Sequence, residues 1–145
     1  MIETQRHKDA KMQVVVPTEI EEIASTTVNA ALTVHRTLGP GLLESAYEEC
    51  LAIELVTHGL SIERQKSIPL IYRGRTVDAA YRIDLIVEKK LLIEAKAVES
   101  LLPVHRVQVA TYLRLLHLPL GFLINFNVPL IKDGLHRVLN LDFQA

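Results

Sequence analysis

Two short segments in the middle of the chain are apolar at most positions: ArgIleAspLeuIleVal at 82–87 and LeuLeuIleGluAlaLys at 91–96. A strand with one solvated face alternates apolar and polar residues, whereas a strand covered on both faces reads as a continuous apolar run. The two segments therefore predict neighbouring central strands of a sheet that has helices on both sides. Only residues 88–90 separate them, so the strands are expected to form an antiparallel hairpin.

Helical and extended patterns on either side of this hairpin complete the predicted fold. Apolar residues recur at helical spacing after Thr18, which forms a capping-box pattern with Glu21, and the glycines and proline at 39–41 end this first helix. The other predicted elements are a helix over about 42–58, a strand pair around a tight turn at 73–74, a helix over 103–117, and strands at 121–126 and 136–140. Between the second and third helices the pattern allows three or four strands. The order predicts an α/β sandwich with a mixed central β-sheet flanked by helices.

The chain has the length of one domain. Residues 18–145 are predicted to form it, after a loosely ordered leader over residues 1–17. No apolar run approaches the roughly 18 residues that span a bilayer, so no membrane segment is expected. The single cysteine, Cys50, and the lack of a secretory signal pattern favour the reducing cytoplasm.

Charge is distributed unevenly along the chain. The formal net charge of −1 argues against a protein that coats nucleic acid nonspecifically. Residues 61–96 nevertheless contain eight Lys or Arg against five Asp or Glu. This excess fits a solvated sheet edge, which is the simpler interpretation, or a local basic surface.

The register of the central hairpin brings two carboxylates together. A three-residue turn at 88–90 makes Asp84 the direct neighbour of Glu94 on the opposite strand. Directly opposed residues share one face of the sheet, with Cβ atoms roughly 4.5–5.5 Å apart. Alternation places Lys96, and Arg82 opposite it, on that same face. A turn of two residues would shift the register and undo this arrangement.

Two carboxylates side by side between apolar strands are costly unless a positive group joins them. Mg²⁺ prefers oxygen ligands and commonly uses one or two carboxylates together with water and substrate phosphate. Asp84 and Glu94 are therefore candidate metal ligands, and Lys96 is a candidate for positioning water or stabilising a phosphate. An ion-pair network of Asp84 with Arg82 or Lys96 explains the same pattern equally well. In either case Leu85, Ile93 and Ala95 are expected to face the opposite side and to pack under another helix.

Several motifs resemble a known group of proteins. Asp84-x9-Glu94-Ala95-Lys96 is similar to the D…ExK core of the PD-(D/E)XK phosphodiesterases, and GlyLeuLeuGluSerAlaTyr at 41–47 matches the motif of the small prokaryotic GxxExxY proteins grouped with them. Further agreeing segments are 34–44, 81–87, 93–98 and 123–126, so the resemblance covers about residues 18–140.

This resemblance implies the PD-(D/E)XK nuclease-like fold and a nuclease that uses Mg²⁺ or Mn²⁺ and acts on nucleic acid, with Asp84, Glu94 and Lys96 as its catalytic signature. Whether the nucleic acid is DNA or RNA stays open. The alternative is a non-catalytic nucleic-acid- or protein-binding module that retains the fold. A homo-oligomer is also expected, because a nuclease of this size has to reach two strands.

Helical residues extend the site by analogy. Nucleases of this kind often supply another acid from a preceding helix, which makes Glu44 a candidate metal ligand; an acid that complements the helix dipole is the simpler interpretation. They also place a helix glutamine beside the catalytic lysine, which makes Gln108 a candidate catalytic residue; a structural hydrogen bond is the alternative. Candidates for substrate contact are Tyr47, Arg82 and His105, although packing with a bonded hydroxyl is the simpler role for Tyr47.

Overall fold

The computed structural model describes residues 14–144, except for the side chains of Ala79 and Ala80. The elements in chain order are α1 (Thr18–Leu38), α2 (Glu44–Thr57), β1 (Ile62–Tyr72), β2 (Arg75–Val87), β3 (Leu91–Lys96), α3 (Pro103–Leu116), β4 (Leu120–Asn125), a 3-10 turn (Ile131–Asp133) and β5 (Leu135–Leu139). Of the predicted leader, residues 14–17 precede α1 without regular secondary structure, and residues 1–13 lie outside the described residues. None of the described helices has the length and apolarity needed to cross a bilayer.

The strands form one sheet in the order β1-β2-β3-β4-β5. β3 and β4 are parallel, whereas the other neighbouring pairs are antiparallel. A parallel pair needs a crossover connection, and α3 supplies it between β3 and β4. The predicted mixed sheet is confirmed.

Helices cover both faces of this sheet. On one face α1 and α2 pack against Leu85, Ile93 and Ala95, and on the other α3 packs against Ile86 and Leu92. Burial of each of these leucine and isoleucine side chains stabilises the fold by about 1.5–3 kcal/mol. The two central strands are apolar at most positions because each of their faces meets a helix.

The hairpin between β2 and β3 has the predicted register. Leu85 pairs with Ile93 and Val87 pairs with Leu91, which leaves 88–90 as the turn. The first two turn residues adopt positive φ, 53° and 57°, and so reverse the chain within a short loop. With this register, Asp84 and Glu94 lie directly beyond the last paired residues, Leu85 and Ile93.

The start of α1 differs from the prediction. Pro17 occupies the N-cap position, and its carbonyl accepts hydrogen bonds from the N–H groups of Ile20 and Glu21, at 3.0 and 3.1 Å. Thr18 is the first helical residue and makes no side-chain cap, so the predicted capping box is wrong. Glu21 instead accepts two hydrogen bonds from the guanidinium of Arg137 in β5, at 2.9 and 3.0 Å.

β2 is a single strand of 13 residues, which leaves three strands between α2 and α3 rather than four. Its pairing with β3 reaches only to Leu85, so the outer parts of β1 and β2 extend past β3 as a two-stranded ribbon. This ribbon, residues 66–82, is called the arm below. The arm turns at Arg73 and Gly74, both at positive φ (50° and 76°), as in the two-residue hairpin turns that match strand twist. Its pairing shifts where Pro69, which has no N–H to donate, lies opposite residues 78–80.

Candidate functional site

β2 and β3 part at the end of their ladder, and two carboxylates fill the gap. Regular pairing stops at Leu85 and Ile93. Beyond that pair, the N–H of Asp84 donates to Oε1 of Glu94 at 3.1 Å, and the N–H of Ala95 donates to Oδ2 of Asp84 at 2.9 Å. Each side chain thus satisfies a backbone donor that the opposite strand no longer reaches. The two acids lie together as the register predicts.

Burial strongly perturbs both acids. The side chains of Asp84 and Glu94 are 8% and 6% exposed. Burial raises the pKa of Asp84 from 3.8 to about 6; a backbone hydrogen bond opposes this shift, and the negative charges of Glu48 and Glu44 add to it. Burial, followed by the charge of Asp84, raises the pKa of Glu94 from 4.5 to about 8. The positive charge of Lys96 lowers both values but does not offset the rise, and a bound cation would relieve it.

Lys96 is the last residue of β3 and is half-buried. It pairs with Asn125 of β4, and its carbonyl accepts a hydrogen bond from the N–H of Phe126 at 2.9 Å. The buried Asn125 side chain then holds the following segment, because Oδ1 accepts from the N–H of Val98 at 3.1 Å and Nδ2 donates to its carbonyl at 2.9 Å. Asn125 therefore fixes the direction in which the chain leaves the site, a role that no single-residue signal in the sequence predicts.

The structure adds a second acid of α2, Glu48, one helical turn after Glu44. Glu48 is buried and accepts hydrogen bonds from Nη2 of Arg64 at 3.1 Å and from Nε2 of Gln65 at 2.7 Å. The same Nε2 lies 3.4 Å from Oδ1 of Asp84, so the Gln65 amide links the helix to the site. Gln65 sits at φ 50° within β1, where the pairing skips its natural partner, Asp84. The i,i+4 spacing from Glu44 is the one sequence signal that points to Glu48.

β2 changes direction at Asp84, which takes Arg82 away from the site. Leu85 packs with α1 and α2, but Ile83 packs on the α3 side, although simple alternation places both on one face. Arg82 is exposed and pairs with β1 on the arm. The prediction that Arg82 lies opposite Lys96 is wrong, because β3 does not run alongside that part of β2.

Glu44 and Gln108 lie on the helical layers that cover opposite faces of the sheet. Glu44 opens α2, is half-buried, and its charge raises the pKa of both Asp84 and Glu94. Gln108 lies one turn before Tyr112, whose own pKa is raised by burial and then by the charges of Glu94 and Asp84. Gln108 thus shares a helix face with a residue at the site. Its amide is exposed and makes no hydrogen bond to another described residue, so it is not the inward-facing group that the sequence predicts.

Tyr47 has a structural role. Its side chain has no exposed surface, and its hydroxyl donates to the carbonyl of Gly39 at 2.5 Å and accepts from the N–H of Leu42 at 3.1 Å. Its ring stacks on Phe126 with centroids 4.7 Å apart. The expectation of a substrate contact is wrong for Tyr47, because the buried hydroxyl is already bonded on both sides.

His105 caps the start of α3. Its ring Nδ1 accepts a hydrogen bond from the backbone N–H of Leu102 at 2.9 Å, and the backbone N–H of His105 donates to the Leu102 carbonyl at 3.0 Å. This reciprocal pair satisfies backbone groups that a helix start leaves free. The half-buried ring remains at the start of the same helix that carries Gln108.

Comparison with known protein families identifies this arrangement. A family model described as the PD-(D/E)XK nuclease superfamily matches residues 21–138, a span that runs from α1 to β5. The chain belongs to the PD-(D/E)XK nuclease superfamily. PD-(D/E)XK nucleases generally use divalent metals and act on nucleic acid. Comparison with curated proteins and with solved structures finds no match.

The donor chemistry of this PD-(D/E)XK site fits a divalent cation. Oε2 of Glu94 makes no hydrogen bond to another described residue, and Oδ1 of Asp84 has only the long contact with Gln65, at 3.4 Å. Each carboxylate therefore keeps an oxygen for a ligand, and Mg²⁺ commonly takes one or two carboxylates with water and phosphate. Within residues 14–144, no three His, Cys, Asp or Glu side chains already form a metal-binding group.

Proposed function

We propose that this chain is a metal-dependent nuclease that hydrolyses phosphodiester bonds of nucleic acid. The pair of buried carboxylates at the parted ends of β2 and β3 carries the proposal. Two acids with raised pKa values and free oxygens, beside a lysine, are arranged for a cation and a phosphate. The motif at 41–47 supports a narrower placement among the GxxExxY proteins.

Each residue of the site has a distinct part in this proposal. Asp84 and Glu94 would hold Mg²⁺ or Mn²⁺, and Glu44 is an additional candidate ligand. A divalent metal in such a site activates water and neutralises charge that develops on the phosphate. Lys96 positions the attacking water and stabilises the phosphate oxygens from the side of β3.

Gln108 supports Lys96 in this proposal. β3 rises about 6.6 Å from Glu94 to Lys96, and α3 rises about 6 Å from Tyr112 back to Gln108. Because α3 runs antiparallel to β3, the step from Tyr112 back to Gln108 has the same direction and about the same length as the step from Glu94 to Lys96. Gln108 is therefore expected level with Lys96. In the substrate complex its exposed amide bonds the water or phosphate next to the lysine.

Compartment and assembly complete the proposal. Cys50 is a free, half-buried thiol, which suits the reducing cytoplasm. Two such sites in one assembly would cut both strands of a duplex in a single encounter, so a homo-oligomer is proposed as well.

Substitution of Lys96 tests the enzyme directly. The wild-type chain is expected to cut DNA or RNA with Mg²⁺ or Mn²⁺, and Lys96→Ala is expected to lose roughly 100-fold or more in rate, because charge on the phosphate is no longer stabilised. Cleavage is measured on labelled single- and double-stranded substrates. The control, Lys89→Ala, changes an exposed lysine in the turn at the other end of β3 and should cut at the wild-type rate.

One observation favours the non-catalytic module instead. The carboxylates of Asp84 and Glu94 already bond backbone N–H groups where β2 and β3 part, a structural role that needs no metal. Asp84→Asn and Glu94→Gln keep an acceptor oxygen for these bonds while they remove the charge. Loss of Mg²⁺ binding in the double variant, measured by titration calorimetry, supports the metal site. Equal binding by the folded double variant, or a wild type that cuts no nucleic acid, favours the module.

A further inference from the structure

The arm carries a concentration of positive charge, of which only Lys66 is paired with a described carboxylate, that of Glu63 at 3.1 Å. Residues 66–82 contain four basic residues and one acid, in a chain whose formal net charge is −1. Arg73, Arg75 and Arg82 are exposed, and none of the three forms an ion pair with a described carboxylate. The rest of the chain therefore carries a net negative charge, so the positive field is localised on the ribbon.

Apolar side chains are exposed beside these arginines at the tip. Ile71 and Tyr72 are 62% and 64% exposed, and Tyr72 lies directly opposite Arg75 across the ribbon. Opposed residues share a face, so an aromatic ring and a guanidinium are presented together. Arg73 adopts a positive φ, although glycine or asparagine adopts this conformation at less cost, and it adds a second positive charge beside Arg75 at the tip.

We infer that the arm binds double-stranded DNA in its major groove and along the flanking phosphates. A two-stranded β-ribbon fits the B-form major groove, which is about 12 Å wide, whereas the A-form major groove of RNA is deep and too narrow for side chains to read. Arginines supply the phosphate contacts that dominate such affinity. Tyrosine and arginine are also enriched in protein interfaces, so joining of two chains through the arm is the rival that the test below separates from DNA binding.

The arm and the candidate site can contact the same duplex. Asp84 follows Arg75 by nine positions along β2, and the irregularity at 78–80 shortens the path. At about 3.3 Å per residue the tip lies roughly 25 Å from Asp84, which corresponds to about seven base pairs. The inference rests on the proposed nuclease function for its biological meaning, since the arm would hold the duplex whose backbone the site attacks.

The test measures binding separately from cleavage. Every protein carries Lys96→Ala so that the duplex stays intact, and binding to a labelled DNA duplex of roughly 30 base pairs is followed by fluorescence anisotropy with Mg²⁺. The arm variant adds Arg73→Glu and Arg75→Glu. Its control adds Lys89→Glu and Lys132→Glu, which change the net charge equally at exposed positions outside the arm.

We expect the arm variant to lose affinity roughly tenfold or more at about 0.1 M salt, with a salt slope smaller by about 2, because two phosphate contacts are lost. The control should stay within about threefold of the Lys96→Ala protein, and duplex RNA should bind more weakly than DNA. Thermal unfolding of each variant verifies that the fold is retained.

Three results would overturn the inference: equal affinity of the arm variant, an equal loss in the control, or tighter binding of duplex RNA. A fourth is a wild-type dimer that the arm substitutions dissociate in sedimentation experiments, since the arm would then join two chains. Failure of the proposed function is distinguishable from all of these. A wild type that binds DNA through the arm but cuts nothing refutes only the nuclease, whereas cleavage with arm-independent binding refutes only this inference.

Discussion

At neutral pH, the buried carboxylates of Asp84 and Glu94 lower the free energy of unfolding of the metal-free chain. Each carboxylate gains a backbone hydrogen bond, but burial and mutual repulsion outweigh that gain, and both pKa values rise. Groups that lower stability yet lie together where two strands part are characteristic of sites selected for chemistry.

Stability without metal should fall as pH rises. Between about pH 4.5 and 8 the folded chain keeps a proton on Glu94 that the unfolded chain has lost. Asp84 keeps its proton in the same way between about pH 3.8 and 6. The folded state binds more protons in this window, so the free energy of unfolding decreases with pH. In EDTA we expect the Tm at pH 8 to be roughly 5 °C or more below that at pH 5.5, measured by circular dichroism.

Two comparisons check the cause of this pH dependence. Glu94→Gln should flatten the profile and raise the Tm at pH 8, because the amide cannot ionise yet still accepts from Asp84. Glu49→Gln, at an exposed position on α2, should leave the profile unchanged. A Glu94→Gln profile as steep as that of the wild type would show that other groups govern it. Saturating Mg²⁺ should stabilise the wild type more at pH 8 than at pH 5.5.

The partnership of Asp84 with Glu94 could be predicted because it depends only on the length of one turn. Glu48 and Gln65 could not be placed in the same way. Their contacts depend on a residue at positive φ inside a strand and on how α2 docks against β1, and neither leaves a periodic pattern. The prediction for Arg82 failed for the same reason, since alternation assumes a regular strand and β2 bends at Asp84.

At the scale of elements, the segments that are apolar on both faces were the most predictable. The hairpin of β2 and β3 and the helix after Pro103 follow from pattern and turn chemistry, because short continuous apolar runs are typical of covered strands and proline is favoured in the first turn of a helix. The length of β2 was harder to predict. Its outer half lies on the arm, where exposure removes the apolar alternation that marks a strand.

The junction of β4 with β5 depends on a close approach at Gly134. A Cβ there would lie 2.0 Å from the carbonyl oxygen of Asn125, whose N–H donates to the Gly134 carbonyl at 2.8 Å. Gly134→Ala therefore requires a backbone shift, and we expect it to destabilise the chain by about 3 kcal/mol in urea unfolding. Gly121→Ala, where a Cβ would meet its nearest atoms at 3.1–3.3 Å, should cost less.

The Gly134 substitution should also affect the candidate metal site. Asn125 holds Val98 beyond Lys96, so displacement of its backbone is expected to weaken Mg²⁺ binding as well as stability. If Gly134→Ala is as stable as the wild type, the β4–β5 junction accommodates the added methyl group, which would contradict this prediction.

At the scale of the whole molecule, Tyr47 connects three parts of the fold. From α2 it bonds the turn after α1 through Gly39 and Leu42, and its ring stacks on Phe126 at the end of β4. The helical layer and the sheet are thereby tied together near the start of α2, where Glu44 approaches the acids.

Removal of this hydroxyl should loosen the fold without touching the acids. Tyr47→Phe leaves the Leu42 N–H and the Gly39 carbonyl without their partner, and we expect a loss of about 1–3 kcal/mol in urea unfolding. Tyr81→Phe is the matched control, because Tyr81 is half-buried and its hydroxyl bonds no other described residue. A similar cost for both variants would contradict the anchoring role.

Pro69 and the irregular pairing beside it have a consequence for solubility. β1 is an edge strand, and along the arm β2 has no described neighbour on its other side, so the ribbon presents two open edges. Open edges invite pairing with other chains and aggregation, which natural sheets oppose with proline, bulges and charge. The tip arginines then act as gatekeepers by repelling the arms of other copies. Glutamate in their place preserves that repulsion, whereas alanine leaves Ile71 and Tyr72 free to seed intermolecular sheets.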